Sequence, residues 1–185
     1  GGHIAIADAS GDSAIFEYIQ GKLVIHHDRQ YTVMTNSPPF DQQLSINTYW
    51  KEVGGLKFLP GTHRASDRFA RVSWNLAATP KVEDPRLAVA TVFSVIRNIS
   101  VPLGISDPEK PNIAATLWRT VADTGARRYY FESAFSPSIF WVDVAKLKLE
   151  PGSKPSKLDL GGNPILAGEV SGRFVPAEPF KFLSH

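Results

Sequence analysis

The sequence predicts an α+β fold built on antiparallel sheets, and three observations lead to this fold class. Apolar stretches rich in β-branched and aromatic residues lie in the first and last thirds of the chain. Short breaks centred on glycine, of hairpin length, separate several of them. Between these regions, apolar residues recur at the spacing of a helix. Strands, then helices, then strands with short links are typical of layered α+β proteins.

The first part of the chain is predicted to form an antiparallel meander followed by one more strand. Breaks at residues 10–12 and 20–22 separate apolar stretches at 3–9, 14–19 and 23–26, and a fourth strand is expected at 31–35. Ser37 is suited to cap a helix and Pro38 to occupy its first position. A helix is therefore expected over about residues 39–50.

Two further helices are predicted in the middle of the chain. Apolar residues at helical spacing run from Ala65 to Leu76, and Pro80 ends the pattern. Asp84-Pro85 opens the next helix, which should end near residue 100.

Strand character then returns at residues 114–122, 127–133 and 139–144. Proline and glycine dominate after that, so residues 150–185 are expected to form an extended tail packed over the body.

Composition argues against several classes of protein. The net charge of +2 is too small to favour a nucleic-acid partner. No apolar run approaches the roughly 20 residues that cross a bilayer, so no membrane association is predicted. No cysteine is present, which excludes disulfides and thiolate metal sites within this chain. Location stays open on composition alone.

The run His26-His27-Asp28 invites a metal interpretation. Adjacent side chains on a strand point to opposite faces, so the two histidines cannot bind one ion. Exposed polar residues at a strand end are the favoured interpretation, and neither a metal nor a cofactor is expected.

Four groups of residues, in this order, match motifs of one family. They are Gly11-Asp12-Ser13-Ala14 with Glu17-Tyr18, Val33-Met34-Thr35-Asn36-Ser37-Pro38, Leu59-Pro60-Gly61 with Asp67-Arg68-Phe69, and Trp118-Arg119-Thr120 with Tyr129-Tyr130-Phe131-Glu132-Ser133. In these motifs the chain resembles the choloylglycine hydrolase family, which includes penicillin V acylases and bile salt hydrolases. The resemblance covers most of the first 145 residues.

The resemblance implies an N-terminal nucleophile hydrolase with an αββα sandwich. In such enzymes an N-terminal cysteine attacks a linear amide, and its own α-amine manages the proton. This chain starts with Gly1 and holds no cysteine. Residues 1–185 are therefore expected to be the C-terminal portion of a single domain whose N-terminal half, with the nucleophile, is absent. The chain alone is expected to be inactive, and the N-terminal half is its expected partner.

Two catalytic residues follow from the resemblance. Asn36 matches the asparagine whose side-chain amide donates to the oxyanion, and Arg68 matches the arginine beside the nucleophile. From the residues alone, a turn asparagine bonding its own backbone is the favoured interpretation of Asn36. Arg64, Arg68 and Arg71 share one side of a helix, and such stripes are usually solvated. No residue is assigned to substrate binding.

The 32-position spacing of Asn36 and Arg68 is compact, whereas bile salt hydrolases carry a longer segment there. This spacing favours penicillin V acylase-like members of the Gram-negative type. The resemblance then implies small acyl amides as substrates, such as penicillin V, N-acyl homoserine lactones or conjugated bile acids, with export to the periplasm. A homo-oligomer is possible. The alternative is a non-catalytic fragment that completes a sandwich with a complementary polypeptide.

Overall fold

The computed structural model describes residues 2–55, 57–109 and 114–181. The chain divides into two compact units, Gly1–Ala115 and Thr116–His185. Each unit is described by itself.

The first unit begins with a three-stranded antiparallel sheet in the order β1-β2-β3. Its strands are β1 His3–Ala7, β2 Ser13–Ile19 and β3 Lys22–His27. Gln20 and Gly21 both adopt positive φ, 50° and 78°, at the two-residue link between β2 and β3. This is the backbone twist that suits a tight hairpin, so the predicted meander is confirmed.

The two faces of this sheet differ in burial. Ile15 is fully buried and Glu17 is 6% exposed, on the face that packs against helices. The cross-strand register places a second set of side chains on the opposite face, which we call the apolar face: Ile4, Ile6, Phe16, Tyr18, Leu23 and Ile25. Apart from the partly buried Phe16, these side chains are 50–59% exposed. A face of this character on a soluble domain is unusual.

Three helices of 14 residues follow: α1 Phe40–Val53, α2 Ala65–Ala78 and α3 Pro85–Asn98. The expected start of α3 is confirmed, because the Asp84 carboxylate accepts hydrogen bonds from the backbone of Arg86 and Leu87. Among the described residues, no helix combines the length and apolar character that a bilayer span requires.

Two local expectations before α1 are wrong. Residues 31–35 form no strand. Side chains satisfy part of the backbone of this segment: Ser13 Oγ donates to Tyr31 O at 2.8 Å. This carbonyl therefore needs no hydrogen bond from a neighbouring strand. Ser37 caps no helix, because α1 starts at Phe40 with Pro39 before it, and the Phe40 N–H donates to Glu17 instead. The Ser37-Pro38 peptide bond is cis.

Aromatic packing forms the core of the first unit. Phe40 is fully buried, and its ring lies 4.9 Å from Tyr31, 5.0 Å from His26 and 6.1 Å from Phe69 between centroids. Ile15 joins this cluster from the sheet. The core therefore fixes the start of α1 against both β2 and α2.

The second unit contains a four-stranded sheet and a small two-stranded sheet. Its strands are β4 Trp118–Asp123, β5 Arg128–Ser133, β6 Ile139–Asp143, β7 Ser156–Lys157, β8 Gly168–Glu169 and β9 Val175–Pro176. The structure confirms the three strands that were expected at 114–122, 127–133 and 139–144. The first of them begins later than expected, at Trp118. β4, β5 and β6 pair antiparallel, while β8 pairs parallel to β6.

Residues from 150 onward contribute to the core of the second unit. Leu166 and Val170 are buried with Phe140 and Val142 of β6. β7 pairs antiparallel with β9, which closes this segment on itself. The last expected tail residues, 182–185, lie outside the described chain.

Candidate functional site

The structure brings Asn36 and Arg68 into direct contact. Arg68 lies in the first turn of α2, and Asn36 lies in the irregular segment before α1. Arg68 Nη2 donates to Asn36 Oδ1 at 2.5 Å. Two residues 32 positions apart, which the sequence motifs place in one site, therefore share a hydrogen bond.

This contact fixes which way the Asn36 amide points. A guanidinium has five N–H donors and no acceptor, so only the amide oxygen can face it. The NH₂ group must then point away from Arg68. Within the described part of the chain, Asn36 Nδ2 makes no hydrogen bond, and Asn36 is exposed. The site thus presents a neutral donor whose orientation is set before any ligand arrives.

Arg68 is itself held in place by the chain before α2. Its Nε donates to His63 O at 3.2 Å. Burial lowers the pKa of Arg68 and the nearby Arg71 charge lowers it further, although an arginine remains a cation at any physiological pH. In the portion of the chain that the structure describes, no carboxylate forms an ion pair with Arg68. Its charge is therefore available to an incoming anion.

The three arginines that were predicted to share one side of a helix differ in what they contact. Arg71 Nη1 donates to Pro60 O and Thr62 O, both at 2.7 Å, and so orders the turn before the helix. Arg64 is exposed and precedes the helix. The solvated-stripe interpretation therefore fits Arg64 but not Arg68 or Arg71.

Hydrogen bonds connect the segment that carries Asn36 to α1 and α2, and connect the start of α1 to β2. Gln43 of α1 donates to Thr35 O and Pro38 O, and Thr35 Oγ1 reaches Ala65 O of α2 at 2.9 Å. Glu17 of β2 accepts from Phe40 N at 2.9 Å. The backbone around Asn36 is therefore fixed on both sides although Asn36 is exposed.

The sequence did not predict a functional role for Glu17 or Gln43. Glu17 lies two residues after Ile15, on the same buried face of β2. Gln43 lies three residues after Phe40, on the buried side of α1. A polar residue at a position whose periodicity is apolar is the signal that could have identified both.

His26 and His27 point to opposite faces, and the expected exposure is confirmed for His27 and wrong for His26. The His26 side chain is 9% exposed, and its ring nitrogens lie 3.3 Å from Glu17 Oε2 and 3.4 Å from Asp41 Oδ1. His27 is exposed and contacts Asp12 at 3.0 Å. Within the described residues, no group of three or more His, Asp or Glu side chains is arranged to hold a metal ion.

Comparison with known proteins defines the class of this chain. The sequence profile of the linear amide C-N hydrolases, choloylglycine hydrolase family, matches residues 2–160. The match covers most of the chain and assigns it to the class of proteins described as linear amide C-N hydrolases. Within that class the chain belongs to the choloylglycine hydrolase family, as its motifs indicate.

Its relatives include penicillin V acylases. A penicillin V acylase from Pectobacterium atrosepticum is 52% identical over 195 residues, which cover 97% of this chain and 52% of the relative. The structure of a penicillin V acylase from Agrobacterium tumefaciens matches 99% of this chain and 59% of that protein, with a TM-score of 0.92 and 55% identity. The chain thus spans about half the length of these relatives.

A more distant structure shares the fold. A mutant conjugated bile acid hydrolase from Clostridium perfringens matches 80% of this chain and 51% of its own length, with a TM-score of 0.65 and 22% identity. These matches confirm the predicted fold class, α+β with antiparallel sheets, as that of N-terminal nucleophile hydrolases.

Proposed function

We propose that this chain is the part of a penicillin V acylase-like amide hydrolase that carries the oxyanion donor, Asn36, and its supporting cation, Arg68. The observation that carries the proposal is the hydrogen bond from Arg68 Nη2 to Asn36 Oδ1, which leaves the Asn36 NH₂ facing outward. No cysteine is present in this sequence, so the attacking sulfur is supplied by another segment or polypeptide.

In the proposed reaction, the cysteine sulfur attacks the carbonyl carbon of an acyl amide, and the thiol proton passes to the α-amine of that cysteine. The carbonyl π electrons move onto oxygen, which becomes an oxyanion. Asn36 Nδ2 donates to that oxyanion, where a fixed neutral donor needs no reorganisation as charge develops. The C–N bond then breaks, the amine leaves with the proton, and water hydrolyses the thioester to a carboxylic acid.

Arg68 supports this chemistry in two ways. Its planar guanidinium holds the amide oxygen of Asn36. Its charge, which no described carboxylate pairs with, favours the thiolate form of a nearby cysteine. Both effects require that Arg68 of α2 lies beside Asn36 of the segment before α1.

The names of the relatives support the substrate class. Two relatives that are more than 50% identical to this chain are penicillin V acylases, so penicillin V is the first substrate to test. N-acyl homoserine lactones and conjugated bile acids are further acyl amides of the proposed class. Export to the periplasm stays a prediction from the family resemblance.

The apolar face of the β1–β3 sheet supports a second polypeptide segment as partner. Five of its large side chains are at least half exposed. Apolar surface of this kind is stabilised when another layer or another chain covers it. In the proposed enzyme the covering layer is the half that carries the cysteine, and a second copy of this chain is the competing occupant.

The same face supports the second candidate function, a non-catalytic fragment that completes a sandwich with a complementary polypeptide. The two functions differ in what the partner supplies. A hydrolase requires a partner segment that begins with cysteine, whereas a binding fragment does not. A search of the purified sample for such a polypeptide by intact mass distinguishes them, and a stable monomer of this chain alone favours the binding fragment.

Complementation tests the hydrolase. The chain of verified intact mass is assayed for penicillin V hydrolysis alone and in complex with the cysteine-bearing half. We expect no hydrolysis by the chain alone and turnover by the complex, which is abolished when the cysteine is replaced by alanine. Penicillin V cleavage by the verified chain alone would overturn the assignment, as would full activity of the alanine complex.

A further inference from the structure

The carboxamide of Gln43 contacts the backbone on both sides of Asn36. Gln43 Nε2 donates to Thr35 O at 3.2 Å and to Pro38 O at 2.6 Å. Its Oε1 accepts from Thr35 Oγ1 at 2.5 Å. Both N–H groups of the Gln43 amide and one lone pair of its oxygen are therefore bonded to Thr35 and Pro38, which flank Asn36 in the sequence.

Gln43 is 1% exposed. A buried amide is costly unless its polar groups are bonded, and these are bonded only to the segment that carries Asn36. None of these hydrogen bonds is made to the backbone of α1. The polarity of Gln43 is therefore accounted for by the segment and not by the helix.

The Thr35 hydroxyl that Gln43 contacts also lies beside the helix that carries Arg68. The hydroxyl of Thr35 lies within hydrogen-bond distance of both Gln43 Oε1 and Ala65 O at the start of α2. Gln43 therefore holds the backbone of residues 35–38 against α1, and it contacts the Thr35 hydroxyl that lies against the start of α2.

We infer that Gln43 is a positioning residue for amide hydrolysis, acting through Asn36. It holds the backbone so that the Asn36 NH₂ stands where the oxyanion forms. This inference rests on the proposed function of Asn36 and deepens it. Misplacing a reacting or stabilising group by about 1 Å costs up to about 10²-fold in rate, so loss of the contact should lower kcat and leave KM nearly unchanged.

The test compares two single-site variants in the full-length enzyme that joins this chain to the cysteine-bearing segment. Gln43→Glu has the same shape but places a carboxylate oxygen against the two carbonyl oxygens that Nε2 now contacts. Gln42→Glu makes the identical chemical change at the neighbouring exposed position and is the control. We expect kcat for penicillin V to fall by about 10- to 100-fold in Gln43→Glu, with KM within about threefold, and both to be unchanged in Gln42→Glu.

A pH profile separates positioning from a general loss of folding. When the carboxyl group of the Gln43→Glu variant is protonated, it can donate one of the two lost hydrogen bonds. Its kcat relative to the unchanged enzyme should therefore rise as the pH is lowered. If Gln43→Glu fails to fold, Gln43→Met removes the same contacts without adding a charge to the core and must show the same loss of kcat.

A double-mutant cycle with Asn36→Ala decides the route of the effect. If Gln43 acts through Asn36, the change at Gln43 should lower kcat no further once Asn36 is alanine. Multiplying effects, or a Gln43→Met enzyme with unchanged kcat, would overturn the inference while the role of Asn36 stands. An Asn36→Ala enzyme with unchanged kcat would instead reject the proposed function itself.

Discussion

Replacing Asn36 with aspartate tests the oxyanion role more sharply than truncation does. The new carboxylate has the shape of the amide and still accepts from Arg68 Nη2, so the contact of 2.5 Å is kept and gains opposite charges. The only group lost is the outward NH₂. The variant therefore separates the donor from the contact that orients it.

The expected magnitudes follow from what the substitution removes and adds. Removal of one oxyanion donor costs about 10²–10³ in kcat, or roughly 2.7–4 kcal/mol. A carboxylate oxygen also repels the developing charge, so the loss should fall at the upper end of that range. The new ion pair with Arg68 is solvent-exposed, and such pairs add only about 0–1 kcal/mol to stability. Turnover should fall steeply while the free energy of unfolding hardly changes.

The assay is the steady-state hydrolysis of penicillin V by the full-length enzyme, with urea unfolding of the same samples. Asn98→Asp is the matched control, because Asn98 Oδ1 also accepts a side-chain hydrogen bond, from Asn75 Nδ2 at 3.0 Å, and is exposed. The control adds the same charge and should keep full turnover. If Asn36→Asp retains more than about a tenth of the original kcat, the donor argument is refuted.

Three further changes have defined outcomes. Phe40→Ala empties a fully buried aromatic site and should lower the free energy of unfolding by about 3–5 kcal/mol in urea titrations, and a loss below about 1 kcal/mol would contradict the packing. Hydrogen bonds from Ser171, chiefly from its side chain and then from its backbone N–H, hold the pKa of Glu169 at about 2, below its ordinary 4.5. The carboxylate should therefore stabilise the fold above pH 4.5 and lose this effect as the pH falls towards 2, so Glu169→Gln should flatten the pH dependence of the urea midpoint in that window. Tyr18→Lys or Ile25→Lys on the apolar face should block association with the cysteine-bearing half in size-exclusion experiments, with an unchanged circular dichroism spectrum, and normal association would exclude this face as the interface.

Local chemistry explains why most helices and strands could be predicted. Asp84-Pro85 starts α3 because a capping carboxylate and a fixed proline φ act within a few residues. A strand was wrongly predicted at residues 31–35 because their apolar character is typical of a strand. The Ser13 hydroxyl that donates to Tyr31 O lies 18 positions away in the sequence. No local pattern reports a partner at that distance.

The residues of the candidate site could also be predicted only in part. Asn36 and Arg68 could be named from family motifs, but their contact depends on where α2 packs against the segment before α1. The buried His26 and Gln43 were missed because polar residues are usually exposed. His26 is buried against the ring of Phe40. Tertiary packing, and not local sequence, creates both the site and its support.

The exposed apolar side of the β1–β3 sheet also bears on how such a polypeptide is supplied in a cell. If the covering half is a separate molecule, any surplus copy keeps this surface open to chaperones and proteases and is removed sooner than an assembled one. The two halves would then be kept in equal amounts by turnover of the surplus, without matched rates of synthesis.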